Sequence, residues 1–197
     1  MSNYLIPLMV VVPMLCAILV NAFAKFNKSI KVLTFVVAIC LPIIPLLSNY
    51  GLHFFGGYTP MLDNATGVIY HPAITYAFDM LQQIFIVAVG LITFLVAFIY
   101  LSKYKKASGQ YLFLLFMGTA SVTALMLTDD IFNMFVFFEI LALVQVGIVI
   151  ASPMDYSYEM ALKYMILGSI GSPIMLLGIG FLLASTGNIN ISDIIVA

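Results

Sequence analysis

Two charged residues lie inside long apolar stretches of the sequence. Glu139 occurs in DDIFNMFVFFEILALVQVGIVI, and Lys163 occurs in EMALKYMILGSIGS. An acidic residue at the centre of a membrane span costs about 2.5 to 3.5 kcal/mol, so it usually faces a bundle interior, a water-filled cavity or a basic partner. Glu139 lies roughly 12 Å into its span, too deep for a short side chain to reach the membrane surface. We therefore interpret this carboxylate as functional.

Lys163 lies near one end of the following span. If the two spans form an antiparallel hairpin, an axial gap of roughly 10 Å separates the two charges, which is too long for a direct salt bridge. Water or a third polar group would have to connect them, and a change in one charge would then alter the proton affinity of the other. The pair predicts ion translocation, in which Glu139 accepts or modulates protons and Lys163 provides a positive charge or a relay. The alternative for Lys163 is an anchor at the membrane surface.

The composition is that of an integral membrane protein. Of the 197 residues, 64% are hydrophobic and 8% are charged, with a mean hydropathy of +1.18. A soluble domain would have about 25% charged residues. The formal net charge is −1, so no long-range field attracts nucleic acid, and we expect no nucleic-acid partner.

Six apolar stretches are long enough to cross about 30 Å of hydrocarbon as helices. We therefore predict an all-α, polytopic membrane protein forming one domain over residues 1–197. The loop 51–73 mixes Gly, Pro, Asn and Asp with aromatic residues, which favours an ordered outer hairpin or cap. The predicted helices lie near 4–24, 30–50, 75–101, 110–128, 131–151 and 158–184.

Lysines mark one side of the membrane. They cluster after the first predicted span (Lys25, Lys28, Lys31) and after the third (Lys103, Lys105, Lys106), whereas the loop 51–73 and the turn at Asp129 contain none. Because cytoplasmic loops carry the excess of basic residues, both termini are predicted to lie outside a cell or energy-transducing membrane.

Three further acids lie near the predicted outer ends of spans. Asp79 falls four or five residues into the apolar zone by the expected bounds, where it is either a polar access point or an acceptor for amides of the first helical turn. Asp129 and Asp130 are expected as solvated caps of the fifth span, or as further access points.

No motif for a cofactor or a metal is present. His53 and His71 lack supporting Cys or acid spacing, so we infer no metal site. Nucleotide-binding loops, nucleophile triads, Cys clusters and haem motifs are also missing from the sequence. We expect no cofactor in this chain, and any coupled redox chemistry would belong to another subunit.

The residues around Glu139 and Lys163 resemble a known family. The stretch LTDDIFNMFVFFEILALVQVGIVIAS and the following YEMALKYMILGSIGSPIMLLGIGFLLASTGNINISDI are similar to the antiporter-like subunits of respiratory complex I, Mrp sodium/proton antiporters and membrane-bound energy-converting hydrogenases. The motif D-x-F-N-x-F-V-F-F-E-I is most similar to the Mrp D-type branch. The resemblance covers residues 79–193. It implies that Glu139 matches a fifth-helix glutamate tied to proton translocation, and Lys163 the sixth-helix lysine of an A-x-K-Y pattern.

The resemblance also implies partners. Family members continue through a broken seventh helix with its own lysine and a second, inverted repeat, whereas this sequence ends at Ala197. We therefore expect other membrane subunits, one of them supplying the remaining antiporter half, around a non-catalytic subunit of an ion-translocating oxidoreductase or antiporter complex. The ion is a proton or sodium. Two alternatives are a structural or assembly subunit of such a complex, and an unrelated small channel or transporter.

Overall fold

The computed structural model describes residues 5–55, 61–62, 69–70, 74–104, 108–151 and 156–196. Within these residues, six helices have the length and apolar character of membrane spans, as expected for an all-α polytopic protein. A short helix, α7, follows them at Ile191–Val196. The spanning helices are α1 (Leu5–Ala22), α2 (Asn27–Ile43), α3 (Met80–Lys103), α4 (Gly109–Leu127), α5 (Ile131–Ile150) and α6 (Ser157–Thr186).

Short strands connect α2 to α3. They are β1 (Gly51–Phe55), β2 (Met61–Leu62), β3 (Ile69–Tyr70) and β4 (Ile74–Phe78), and they pair antiparallel as β1 with β4 and β2 with β3. The β1–β4 pairing agrees with the expected hairpin. Much of the loop 51–73, including His71, and the side chain of His53 lie outside the described residues.

Helix α3 begins later in the chain than expected because the preceding residues form strand β4. The expected start near residue 75 is wrong, because Ile74–Phe78 is a strand rich in β-branched and aromatic residues and α3 begins only at Met80. Asp79 is therefore not inside the apolar zone. It is the N-cap residue of α3 and forms a capping box with Gln82, whose Oε1 accepts the Asp79 N–H at 3.1 Å.

Helix α4 is the centre of the helical packing. It contacts α1, α3 and α5, while α6 packs against α5. Burial follows the same order, since 44% of the α4 span is buried but only 6% of the α5 and α6 spans. Helices α5 and α6 thus form an edge of the molecule with a large open surface.

The backbones of α2 and α3 approach each other closely. A Cβ added at Gly90 would lie 2.8 Å from the Pro42 nitrogen and 3.0 Å from its Cα. Only a residue without a side chain allows this approach of two backbones. The last turn of the α2 span is a 3₁₀ helix, Ile44–Leu47, and Gln83 Nε2 donates to the Pro45 carbonyl at 3.0 Å, so α3 supplies a partner for a carbonyl at the end of that span.

The two ends of the bundle differ in charge. Lys31 Nζ donates to the Tyr104 carbonyl at 3.1 Å, which joins the start of α2 to the end of α3. The end that carries Lys25, Lys28, Lys31 and Lys103 is called the lysine-rich end below; Lys105 and Lys106 lie outside the described residues. The strands and the α4–α5 turn occupy the opposite, strand end.

Candidate functional site

Glu139 lies on an open face of α5. The side chain is partly buried, whereas Phe132 and Leu143 are 50% and 63% exposed. Phe132, Val136, Glu139 and Leu143 follow the spacing i, i+4, i+7 and i+11, so they share one helical stripe. In the described part of the chain, no hydrogen bond or ion pair involves the Glu139 carboxylate. Glu139 therefore interrupts an otherwise apolar stripe whose other residues are exposed.

Helix α4 packs on another side of α5. Val144 is buried and lies 3.3 Å from the position of a Cβ at Gly118 of α4, and a Cβ at Gly147 would meet Leu114 of α4 at 2.7 Å. These contacts fix the face of α5 that α4 covers. Glu139 is five positions before Val144 and eight before Gly147, about 140° and 80° around the helix, so it lies to one side of the face that α4 covers.

Lys163 has a partner on its own helix. Its Nζ lies 2.6 Å from Glu159 Oε1, and the two side chains are 63% and 66% exposed. The spacing i, i+4 with the acid first is the favourable order for such a pair. The structure thus brings Lys163 to Glu159 and gives it no direct bond to Glu139.

Asp129 and Asp130 are buried, so the expectation of solvated caps is wrong on this point. Asp129 is 8% exposed and Asp130 is 5% exposed. Asp130 is the N-cap of α5, and its Oδ1 accepts the Asn133 N–H at 2.9 Å. The Asp129 carboxylate instead accepts two hydrogen bonds from Ser192, which lies at the start of α7. The surrounding chain segments therefore bury both aspartates and shield them from solvent.

These aspartates belong to a junction of three chain segments at the strand end. The Asp129 N–H donates to the Thr75 carbonyl of β4 at 2.9 Å, and its carbonyl accepts the Ile191 N–H at 2.7 Å. The Ile131 N–H donates to the Ile189 carbonyl at 2.9 Å. Strand β4, the α4–α5 turn, and the segment between α6 and α7 are therefore joined by backbone and side-chain hydrogen bonds.

Asn133 ties the same junction to β4. Its Nδ2 donates to Thr128 Oγ1 at 3.0 Å, and its side chain also hydrogen-bonds Tyr76. Burial raises the pKa of the Tyr76 phenol, and the bond to Asn133 partly opposes that rise. Neither Asn133 nor Ser192 stands out in the sequence. The one available signal is that both are polar residues next to the boundaries of apolar spans.

A family model matches part of the chain. The family described as NADH:quinone oxidoreductase/Mrp antiporter, TM, matches residues 128–197. These residues contain the junction aspartates, Glu139 and Lys163. The match thus covers the α5–α6 hairpin and the segment that follows it.

Two relatives extend the comparison. An uncharacterised protein of Methanocaldococcus jannaschii, MJ1309, is 41% identical over 191 residues, which cover 97% of this chain and 38% of the relative. A Na(+)/H(+) antiporter subunit of Bacillus subtilis is 31% identical over 106 residues, which cover 54% of this chain and 21% of the relative. The chain therefore spans less than two fifths of the length of these relatives.

A solved structure has the same fold. A chain of the membrane-bound sulfane sulfur reductase, an archaeal respiratory membrane complex, superposes with a TM-score of 0.81 at 23% identity, covering 96% of this chain and 39% of that one. At this identity the likeness concerns the arrangement of helices. The α5–α6 edge is thus part of a fold found inside a larger membrane protein.

Proposed function

Because this chain belongs to the family of antiporter-like membrane subunits, we propose that it forms part of a transmembrane proton path in a multisubunit complex. The observation that supports the proposal is the position of Glu139. Glu139 is partly buried and lies in the middle of an apolar helix stripe whose other residues, Phe132, Val136 and Leu143, are exposed. A carboxylate facing lipid at this depth would be costly, so it needs a polar neighbour or water.

The cover is proposed to be another membrane segment. The apolar residues on either side of Glu139 are exposed, so a helix packed on this stripe would bury them and enclose the carboxylate together. We propose that this segment carries a basic group or lines a water-filled channel, and that it belongs to the remaining antiporter half, in a partner subunit or elsewhere in the same protein. One such segment would then both bury the exposed apolar residues of α5 and give the Glu139 carboxylate a polar partner.

A carboxylate suits protons or sodium as the moving ion. A proton moves through single side chains and waters, whereas sodium requires several oxygen ligands around one point. Because one carboxylate and water suffice to relay a proton, we propose a proton as the ion carried here. Sodium is the second candidate if the covering segment supplies further oxygen ligands.

The orientation is proposed from the distribution of lysines. The lysine-rich end is placed on the cytoplasmic side, since basic residues accumulate in cytoplasmic loops. The strand end and the junction around Asp129 then face outward, and both termini lie outside. Protons arriving from the outer side would reach Glu139 from the level of the α4–α5 turn.

The test is ion pumping by the assembled complex in proteoliposomes. Glu139→Gln removes the titratable group while keeping its size, and we expect proton movement to fall about a hundredfold, the low end of a proton-transfer effect. Glu139→Asp keeps a carboxylate and should retain part of the activity. Gln145→Ala changes an exposed polar residue of the same helix and serves as the matched control.

The outcome separates this function from a structural one. A subunit needed only for assembly would tolerate Glu139→Gln without any change in proton movement. Such a result, with the variant still incorporated into the complex, would contradict the proposal. Transport by the purified chain alone would instead favour an independent channel or transporter.

Lys163 requires its own comparison because it is paired with Glu159. If Lys163 provides the positive charge of the path, Lys163→Gln lowers proton movement and Lys163→Arg retains it. Glu159→Gln removes the partner but keeps the ammonium, so it should change proton movement less than Lys163→Gln does. Equal effects of Lys163→Gln and Glu159→Gln would indicate that the ion pair anchors the end of α6.

A further inference from the structure

A cavity of about 720 Å³ opens at the lysine-rich end, where α3, α4 and α5 meet. Its lining changes from polar to apolar along α3. Lys103 and Tyr100 lie at one side, and Val96 lies roughly 10 Å further along the helix, next to Ile99 and Ile148. A ligand that fits both parts must be amphiphilic.

The polar part of the cavity contains a cluster of tyrosines. The rings of Tyr100 and Tyr111 stack with centroids 4.3 Å apart, and the Tyr104 ring lies 4.9 Å from Tyr100. The Ser108 N–H donates to the Tyr100 hydroxyl oxygen at 2.9 Å, which leaves the hydroxyl hydrogen free to donate to a ligand. The Tyr111 hydroxyl also lacks a hydrogen-bond partner within the described residues. Two O–H donors are therefore available in the cavity.

The charge at this site is positive. Lys103 lines the cavity, and its Nζ lies 5.7 Å from the centre of the Tyr104 ring. The Lys31 ammonium is held against the Tyr104 carbonyl at 3.1 Å. Neither lysine forms an ion pair with a carboxylate in the part of the chain that the structure describes. The cavity thus combines the uncompensated Lys103 ammonium group with phenol donors, which are groups that bind phosphate oxygens, and a second ammonium group, Lys31, lies beside it at the Tyr104 carbonyl.

We propose that this cavity binds an anionic phospholipid, with the phosphate at Lys103 and the tyrosines and an acyl chain along Val96, Ile99 and Ile148. Tyrosine and lysine are the residues that anchor helices at the level of lipid headgroups, and the cavity lies at the helix ends where headgroups are found. A protein helix in the same place would leave the ammonium groups unpaired unless it carried acids of its own. The charge and the polar-to-apolar gradient favour the lipid.

The binding test uses the purified full chain in a neutral detergent, titrated with phosphatidylglycerol or with phosphatidylcholine and followed by native mass spectrometry. Phosphatidylglycerol should bind more tightly. Lys103→Gln should weaken its binding about fivefold, the effect of one lysine near an anionic surface, while Lys103→Arg should restore it. Tyr111→Phe keeps the stacked ring and should weaken binding through loss of the hydroxyl donor alone.

Lys28→Gln is the control for charge in general. Lys28 is exposed at the same end of the bundle but does not line the cavity, so its replacement should leave the affinity unchanged. Equal effects of Lys28→Gln and Lys103→Gln, or equal binding of the two lipids, would overturn the proposal. Inorganic phosphate added in excess should not displace the lipid, and full displacement would assign the site to a free phosphate instead.

A photocrosslinking residue in place of Ile99, in the assembled complex, tests whether a phospholipid or a neighbouring protein subunit occupies the cavity. Ile99 lines the apolar part of the cavity and is 61% exposed. Crosslinking to phospholipid in native membranes would support the proposal. Crosslinking to a neighbouring protein subunit would replace the lipid with a protein contact.

Discussion

The Asp129 carboxylate holds Ser192 by two hydrogen bonds, one from the backbone N–H at 3.2 Å and one from the hydroxyl at 2.5 Å. Ser192 follows α6 in the chain, whereas Asp129 precedes α5. The contact therefore closes the α5–α6 hairpin at the strand end. Hydrogen bonds to an ionised acceptor are stronger than bonds between neutral groups, so this contact fixes the end of the otherwise exposed helix α6.

The first prediction concerns the strength of this contact. Asp129→Ala should lower the free energy of unfolding by about 2 to 3 kcal/mol, because it removes charge-assisted bonds and leaves the part-buried donors of Ser192 unpaired. The measurement is reversible unfolding of the chain in detergent. Asp79→Ala at the exposed cap of α3 should cost only about 1 kcal/mol. A larger loss for Asp79→Ala would argue against the junction as a major source of stability.

The second prediction concerns the α2–α3 contact. Gly90→Ala places a methyl group against the backbone of Pro42, which cannot move aside as a flexible side chain would. We expect a loss of about 1 to 3 kcal/mol, typical of overpacking, measured by the same unfolding assay. Gly168→Ala is the matched control, since nothing lies within 4 Å of its added Cβ. Equal stability of the two variants would contradict the close approach.

The third prediction concerns the open surface of α6. Gly168 and Gly171 both face open space, and small residues on membrane helices allow close approach of a neighbouring helix. Gly168→Leu should therefore leave unfolding of the isolated chain almost unchanged but reduce co-purification of partner subunits. Normal assembly with Gly168→Leu would show that lipid, rather than protein, covers this position.

The fourth prediction concerns orientation. In a variant with Cys16→Ala and Cys40→Ala, Lys28→Cys should react with an impermeant maleimide only from the cytoplasmic side, and Met80→Cys only from the outside. Both positions are exposed and lie at opposite ends of the bundle. Reversed labelling would place the termini in the cytoplasm, against the rule that basic loops remain there.

Local properties of the sequence account for most of the fold. Hydropathy predicted the six spans because the length of an apolar run is set by the bilayer and needs no distant contact. The missed boundary at α3 has a non-local cause, since Ile74–Phe78 becomes a strand by pairing with Gly51–Phe55. That pairing also makes Asp79 a helix cap rather than an acid within the span.

For the candidate site, the sequence by itself determined that Glu139 is an acid deep in an apolar span and that Lys163 lies near the end of the next. Only the tertiary structure decided which neighbours these side chains have. It pairs Lys163 with Glu159, leaves Glu139 among exposed apolar residues of α5 and buries Asp129 against Ser192. The physical reason is that hydropathy depends on neighbours along the chain, whereas burial and hydrogen bonding depend on the direction in which each helix face points.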